Sequence, residues 1–253
     1  MSLVTLCSSK GSPGVTTLAM VLADLWPAPV LLADLDPDGG DLAPRLGLGF
    51  ELGLLSVAAR GRAGLGWASV EAALQPAGRA QVLAGVADPG QARGLAVLWD
   101  PLAALLAEAD FLVLADLGRL RPDNPAARAC VGRAALNLVL TRLDPASLAH
   151  TSAALAALDG LPALVVGRGP GSVPAGWAVE AVWAEDRAAA AELAGVARRY
   201  GYGRFSKLVA TAKTVARLVS ERVEPAGAAG TGPPDAALPD GAATPEGMAE
   251  AKR

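Results

Sequence analysis

Short, wholly apolar runs alternate along this chain with longer stretches of helical spacing, and that alternation constrains the fold more than any other feature. The apolar runs are residues 3–7, 30–33, 81–85, 111–115, 136–141 and 161–166, with a short one at 179–183. Several are apolar at every position, not every second one, which suits strands covered on both faces. Helices are expected at 16–26, 69–74, 101–109, 125–134, 147–158, 187–199 and 205–223. Strands alternating with helices predict an α/β domain, a predominantly parallel sheet with crossover helices on both faces. Ligands of such sheets sit beyond the carboxyl ends of the strands.

The alternation stops near residue 223. From Glu224 onward Pro, Gly and Ala dominate, and Leu238 and Met248 are the large apolar residues left. Such a segment cannot offset its ordering entropy, so the expectation is one domain over 1–223 and a disordered tail over 224–253. The two cysteines, Cys7 and Cys130, lack the spacing of a disulfide framework or a metal site, and Cys7 reads as core. The one histidine, His150, argues against His-based metal sites and Ser-His-Asp triads. No eighteen-residue apolar window and no leader pattern after Met1 are found, so a cytoplasmic protein is expected. Net charge is −3, and removing the tail's five acids and two bases leaves 20 charges of each sign. A neutral body carries no basic footprint for nucleic acid.

The first strand runs into Ser8-Ser-Lys10-Gly-Ser-Pro-Gly14-Val15-Thr16-Thr17, a Gly-rich turn opening a helix. Backbone amides of such a turn and the helix N-terminus can surround a phosphate. Gly11 and Gly14 permit close approach, and Thr16 stands where a hydroxyl could ligate Mg²⁺. A plain Gly/Pro strand–helix turn is the alternative. The second strand ends in Asp34-Leu-Asp36, two carboxylates pointing the same way, where one could orient water or meet a metal. Pro37 to Gly40 could equally form a turn, with Asp41 capping a helix. A third carboxylate, Asp116, follows the run 111–115.

In this order the motifs resemble the ParA/MinD family of deviant Walker A P-loop ATPases, whose loop reads K-G-G-x-G-K-T-[ST]. Lys10, Gly11, Gly14, Thr16 and Thr17 match, and Pro13 fills the open position. Ser12 replaces a glycine, and Val15 replaces the lysine that contacts the β- and γ-phosphates. The resemblance implies a P-loop fold, ATP held by residues 10–17, and Mg²⁺ held by Thr16, Asp36 and Asp116. It makes Asp36 the residue that positions attacking water, with Asp34 in support. It also sends Lys10 across a nucleotide-sandwich homodimer to the partner's phosphates. Losing the loop lysine removes a bond of about 1.5–3 kcal/mol, roughly ten- to hundredfold in affinity. The similarity continues through Leu140–Ser147, Val165–Arg168 (where the family often has an asparagine near adenine) and Val182–Asp186, each weakened. The eroded loop resembles TadZ/CpaE-like members, which position pili or secretion machinery.

Residues 205, 208, 212, 215, 219 and 223 form an apolar stripe with Lys207, Lys213, Arg217 and Arg222 mostly off it. Such a helix covers the sheet or, as in MinD, lies on a membrane surface. Tyr200, Tyr202 and Phe205 among Arg198, Arg199 and Arg204 suit a nucleic-acid patch or a helix–helix turn. The leading functional expectation is a dimerising positioning or recruitment scaffold with weak or absent nucleotide hydrolysis and a protein partner. An active partitioning ATPase acting on DNA or membrane, and another Rossmann-like binder of a phosphate ligand, are the alternatives.

Overall fold

The computed structural model describes residues 2–10, 13–169, 173–194 and 206–223. Its strands are β1 (Leu3–Ser8), β2 (Val30–Asp34), β3 (Leu74–Ala77), β4 (Ala80–Leu83), β5 (Val113–Arg119), β6 (Leu136–Arg142), β7 (Ala163–Arg168) and β8 (Ala181–Trp183). The helices are α1 (Val15–Leu25), α2 (Leu42–Leu46), α3 (Leu54–Arg60), α4 (Trp67–Glu71), α5 (Pro89–Gly94), α6 (Trp99–Ala107), α7 (Pro125–Cys130), α8 (Pro145–Ala157), α9 (Arg187–Leu193) and α10 (Lys207–Ser220).

One sheet holds all eight strands in the order β3-β4-β2-β5-β1-β6-β7-β8. Every pairing is parallel except the β3–β4 hairpin at one edge. Both faces are covered, which explains the apolar runs. Along β1, Leu3 and Cys7 join the core under α6 and α7 with Trp99, Leu102 and Cys130. Val4 and Leu6 join the core under α1 and α10 with Leu18, Leu22, Leu208 and Val215. Burial pushes the Cys7 thiol up to about 12, an inert core group.

The stripe of α10 lies in that second core, with Leu208, Ala212, Val215, Val219 and Val223 buried. That corrects the membrane reading of this helix, whose apolar face is taken by α1 and β8. Among the described residues no helix is long and apolar enough to cross a membrane. The helix expected at 69–74 ends at Glu71, and Leu74 starts β3 instead. Pro76 is tolerated there because β3 is an edge strand, turning into β4 at Gly78. Phe205, the tyrosine–arginine stretch and the tail at 224–253 lie outside the described residues, as do positions 195–199 of the helix expected to 199.

Candidate functional site

β1, β2 and β5 are neighbours, so their carboxyl ends deliver three loops to one place. After β1 the chain enters α1 through Gly14, whose φ of 98° is a left-handed conformation that a side chain disfavours. Among the described residues no side chain caps α1, whose first-turn N–H groups point toward the end of the helix where an anion is favoured. This turn borders a cavity of about 370 Å³. Gly14, Val15 and Thr16 form one wall, Asp36, Asp38, Asp41 and Arg45 the other, with Gly118 and Arg119 from β5 between them.

The carboxylates form a graded set. Asp34 and Asp116 stand opposite one another in the β2–β5 ladder, both buried. Burial, and for Asp34 the neighbouring Asp116, raises both above the ordinary carboxylate range. Asp34 Oδ2 accepts the Leu42 N–H at 2.9 Å, and that bond, together with the nearby Asp36 N–H, works against the rise. Asp116 accepts the Thr16 hydroxyl and, at 2.9 Å, the Gly118 N–H. Asp36 lies at the cavity edge, packed so closely on Gly118 that a Cβ there would collide with its carboxylate. Burial pushes Asp36 up to about 6, against the Asp38 N–H bond that lowers it and with the nearby Asp116, Asp38 and Asp41 raising it further. Asp38 is held by a two-pronged contact from Arg121 at 2.8 and 3.0 Å. Asp41 precedes α2 but makes no capping bond; its carboxylate pairs with Arg45.

The structure thus brings Gly14, Val15, Thr16, Asp36 and, through the Thr16 hydroxyl, Asp116 together. Thr17 is buried and accepts from Arg45 Nη1 at 3.1 Å. Gly11 and Ser12 lie outside the described residues. Lys10 is exposed and directed elsewhere, its Nζ 3.2 Å from His150 Nε2 on α8. Val15 is 7% exposed and packs in the apolar core. Pro13 is buried, and its carbonyl accepts from Arg168 Nη1 at 2.6 Å.

Arg45, Arg168 and Trp183 carry weight that sequence reasoning missed. Arg168 and Trp183 are register partners on β7 and β8, and the guanidinium lies 4.9 Å from the indole centroid. Its tip covers Gly14 so tightly that a Cβ there would strike Nη1. Gly167 beside it answers to packing, since a Cβ would fall 2.6 Å from Leu143 Cδ2. Local signals for these contacts are absent, because each joins residues far apart in the chain.

The donor set consists of a hydroxyl and carboxylates, hard oxygen ligands suited to Mg²⁺. Among the described residues no group of three or more His, Cys, Asp or Glu is arranged to hold an ion by itself. Mg²⁺ keeps several waters and commonly binds through one or two carboxylates plus phosphate oxygens. Thr16, Asp36 and Asp116 therefore fit a phosphate-borne Mg²⁺ better than a cage made by protein alone.

No protein-family model matches the sequence, and no curated protein does. Solved structures do match the fold. A ParA family ATPase from Chlorobium tepidum aligns with TM-score 0.72 at 14% identity, over 85% of this chain and 97% of that one. The septum site-determining protein MinD from Pyrococcus horikoshii, complexed with Mg-ADP, aligns with TM-score 0.66 at 18% identity, over 88% and 99%. The chain has the ParA/MinD fold. A chain of the MinC:MinD cell division protein complex from Aquifex aeolicus aligns with TM-score 0.60 at 17% identity, over 89% and 98%. The expected α/β class agrees with the ParA/MinD fold, and the alternative of an unrelated Rossmann-like sheet falls away.

Proposed function

We propose that this chain is a dimerising scaffold for positioning or recruiting a protein partner, which binds a Mg²⁺–nucleotide weakly and hydrolyses it slowly or not at all. The observation that carries the reading is Val15: at the start of α1, where the resembled family has its phosphate-binding lysine, stands a buried aliphatic side chain. Phosphoryl transfer rests on cations placed over developing charge, so losing that cation weakens turnover more than binding. Lys10, the residue expected to reach a partner's phosphates, is engaged with His150 within its own chain. The chain's remaining groups still suit binding. Gly14 lets the backbone turn closely, the uncapped α1 N–H groups favour an anion, and Thr16, Asp36 and Asp116 offer oxygen ligands to a Mg²⁺ that would neutralise phosphate charge. Asp36 lines the cavity and would orient a water there. The Mg-ADP of one neighbour and the MinC partner of another support nucleotide and protein as ligand classes here.

Calorimetry with ATP, ADP and GTP in Mg²⁺, a phosphate-release assay and light scattering test this. Weak binding, turnover near background and nucleotide-promoted dimerisation are expected. Replacing Val15→Lys should tighten ATP binding roughly ten- to hundredfold, the value of one bond to a charged group. Robust turnover by the natural sequence would favour the active ATPase reading instead. Binding by neither form would overturn the site.

A further inference from the structure

We infer that Arg45 supplies the positive charge missing from the β1–α1 turn, and that its guanidinium contacts the polyphosphate of the bound nucleotide. This rests on the site reading above and names a residue that the loop motif does not contain.

Two cationic side chains line the cavity, Arg45 and Arg119. Arg119 is exposed, and its Nε donates to the Ser9 carbonyl at 3.3 Å. The Arg45 side chain is only 22% exposed and lies on the opposite wall from Val15. Its Nη1 reaches across to the Thr17 hydroxyl, two residues beyond Val15 on α1. The reach is fixed by the backbone behind it. Asp34 Oδ2 holds the Leu42 N–H at the start of α2, and Gly40 passes so near that a Cβ would fall 2.6 Å from that oxygen. The carboxylate that sequence reading placed in a supporting role therefore positions the arginine.

Charge balance favours the same assignment. Arg121 satisfies Asp38 and Arg45 satisfies Asp41, leaving Asp36 and Asp116 as the carboxylates for a cation. An incoming triphosphate would meet a wall of acids unless a guanidinium turned toward it. Asp41, the partner of Arg45 in this one-turn pair, has an exposed carboxylate that water already screens, so a multiply charged phosphate can displace it. The planar guanidinium fork also matches phosphate oxygens better than a point charge. The field of Arg45 already reaches Asp116 and draws its carboxyl downward against burial.

The test is calorimetry on the full chain with Mg·ATP and Mg·tripolyphosphate at one ionic strength. Arg45→Met should weaken both ligands roughly ten- to hundredfold, since the contact is to phosphate and not to a base. Arg45→Lys should recover part of the loss, since the charge returns without the planar fork. Val15→Lys added to Arg45→Met should restore binding from the other wall. Asp41→Asn, which frees the guanidinium, should tighten both ligands; this arm decides if thermal melts show Arg45→Met unfolded, and no tightening then overturns the inference. Unchanged binding by folded Arg45→Met, with the natural protein binding normally, overturns Arg45 alone. A natural protein that binds neither ligand overturns the site reading and this inference with it.

Discussion

The two walls of the cavity are held by different physics. The β1–α1 wall is anchored by burial: Val15 and Leu18 join the apolar core, and Arg168 spans from Trp183 to the Pro13 carbonyl. The β2–α2 wall is a lattice of carboxylates, with Asp34 on the Leu42 amide, Asp38 on Arg121 and Asp41 on Arg45. An apolar anchor is indifferent to pH and forgiving of ligand charge. A carboxylate lattice is neither. The contrast teaches that one cavity can be held by burial on one side and by charge on the other, and mutations on each side should break in different ways.

The largest effect is expected on the apolar side. Trp183 is fully buried, donates its Nε1–H to the Leu208 carbonyl at 3.1 Å, and carries the Arg168 stack. Trp183→Ala should cost about 3–5 kcal/mol, by lost burial and the cavity left behind. Denaturant titration should show the same loss at pH 5 and pH 8, because the contact contains no group that titrates in that range. A loss that varied steeply with pH would erase the contrast between the walls.

The same contrast explains what was legible in the sequence. β1, β2, β5, β6 and β7 announce themselves as apolar runs because both faces of those strands are buried, and the P-loop-like spacing of Gly14 and Thr16 is local. β5 nevertheless continues through Asp116 to Arg119, since backbone pairing does not end where hydrophobicity does. α2, α3 and α5 are five to seven residues long, too short to display a helical period. β3 hides because an edge strand bearing Gln75 and Pro76 has no need of an apolar run. Arg45 was invisible for a deeper reason. Its value depends on which wall faces Val15, and nothing in the twenty-nine residues between them encodes that by spacing.

On the charged side the expected effect is smaller and opposite in sign. Asp34 is buried beside Asp116, so its ionised form is costly. An asparagine keeps an acceptor for the Leu42 N–H and carries no charge to bury beside Asp116. Asp34→Asn should stabilise the protein by about 1–3 kcal/mol at pH 8, because it removes a charge that burial and Asp116 both disfavour. The gain should shrink toward pH 4, where the native carboxyl already holds its proton. Equal destabilisation at both pH values would mean that Asp34 is simply a structural anchor.

The smallest effect isolates Asp36. Its folded pKa of about 6 exceeds the roughly 3.9 of an unstructured aspartate, so between those values the folded protein binds more protons than the unfolded chain. Stability should therefore fall as pH rises through about 4 to 6, the reverse of a salt-bridged aspartate. Asp36 is partly open to solvent, so screening cuts the contribution to about 1 kcal/mol or less. The clean reading is a difference: the natural protein against Asp36→Asn, melted at half-unit steps from pH 4 to 7. The two curves should diverge across that window and run parallel above it, with the natural protein losing ground. Parallel curves throughout would place Asp36 in open water, and the graded carboxylates of this wall would then reduce to the buried pair beneath it.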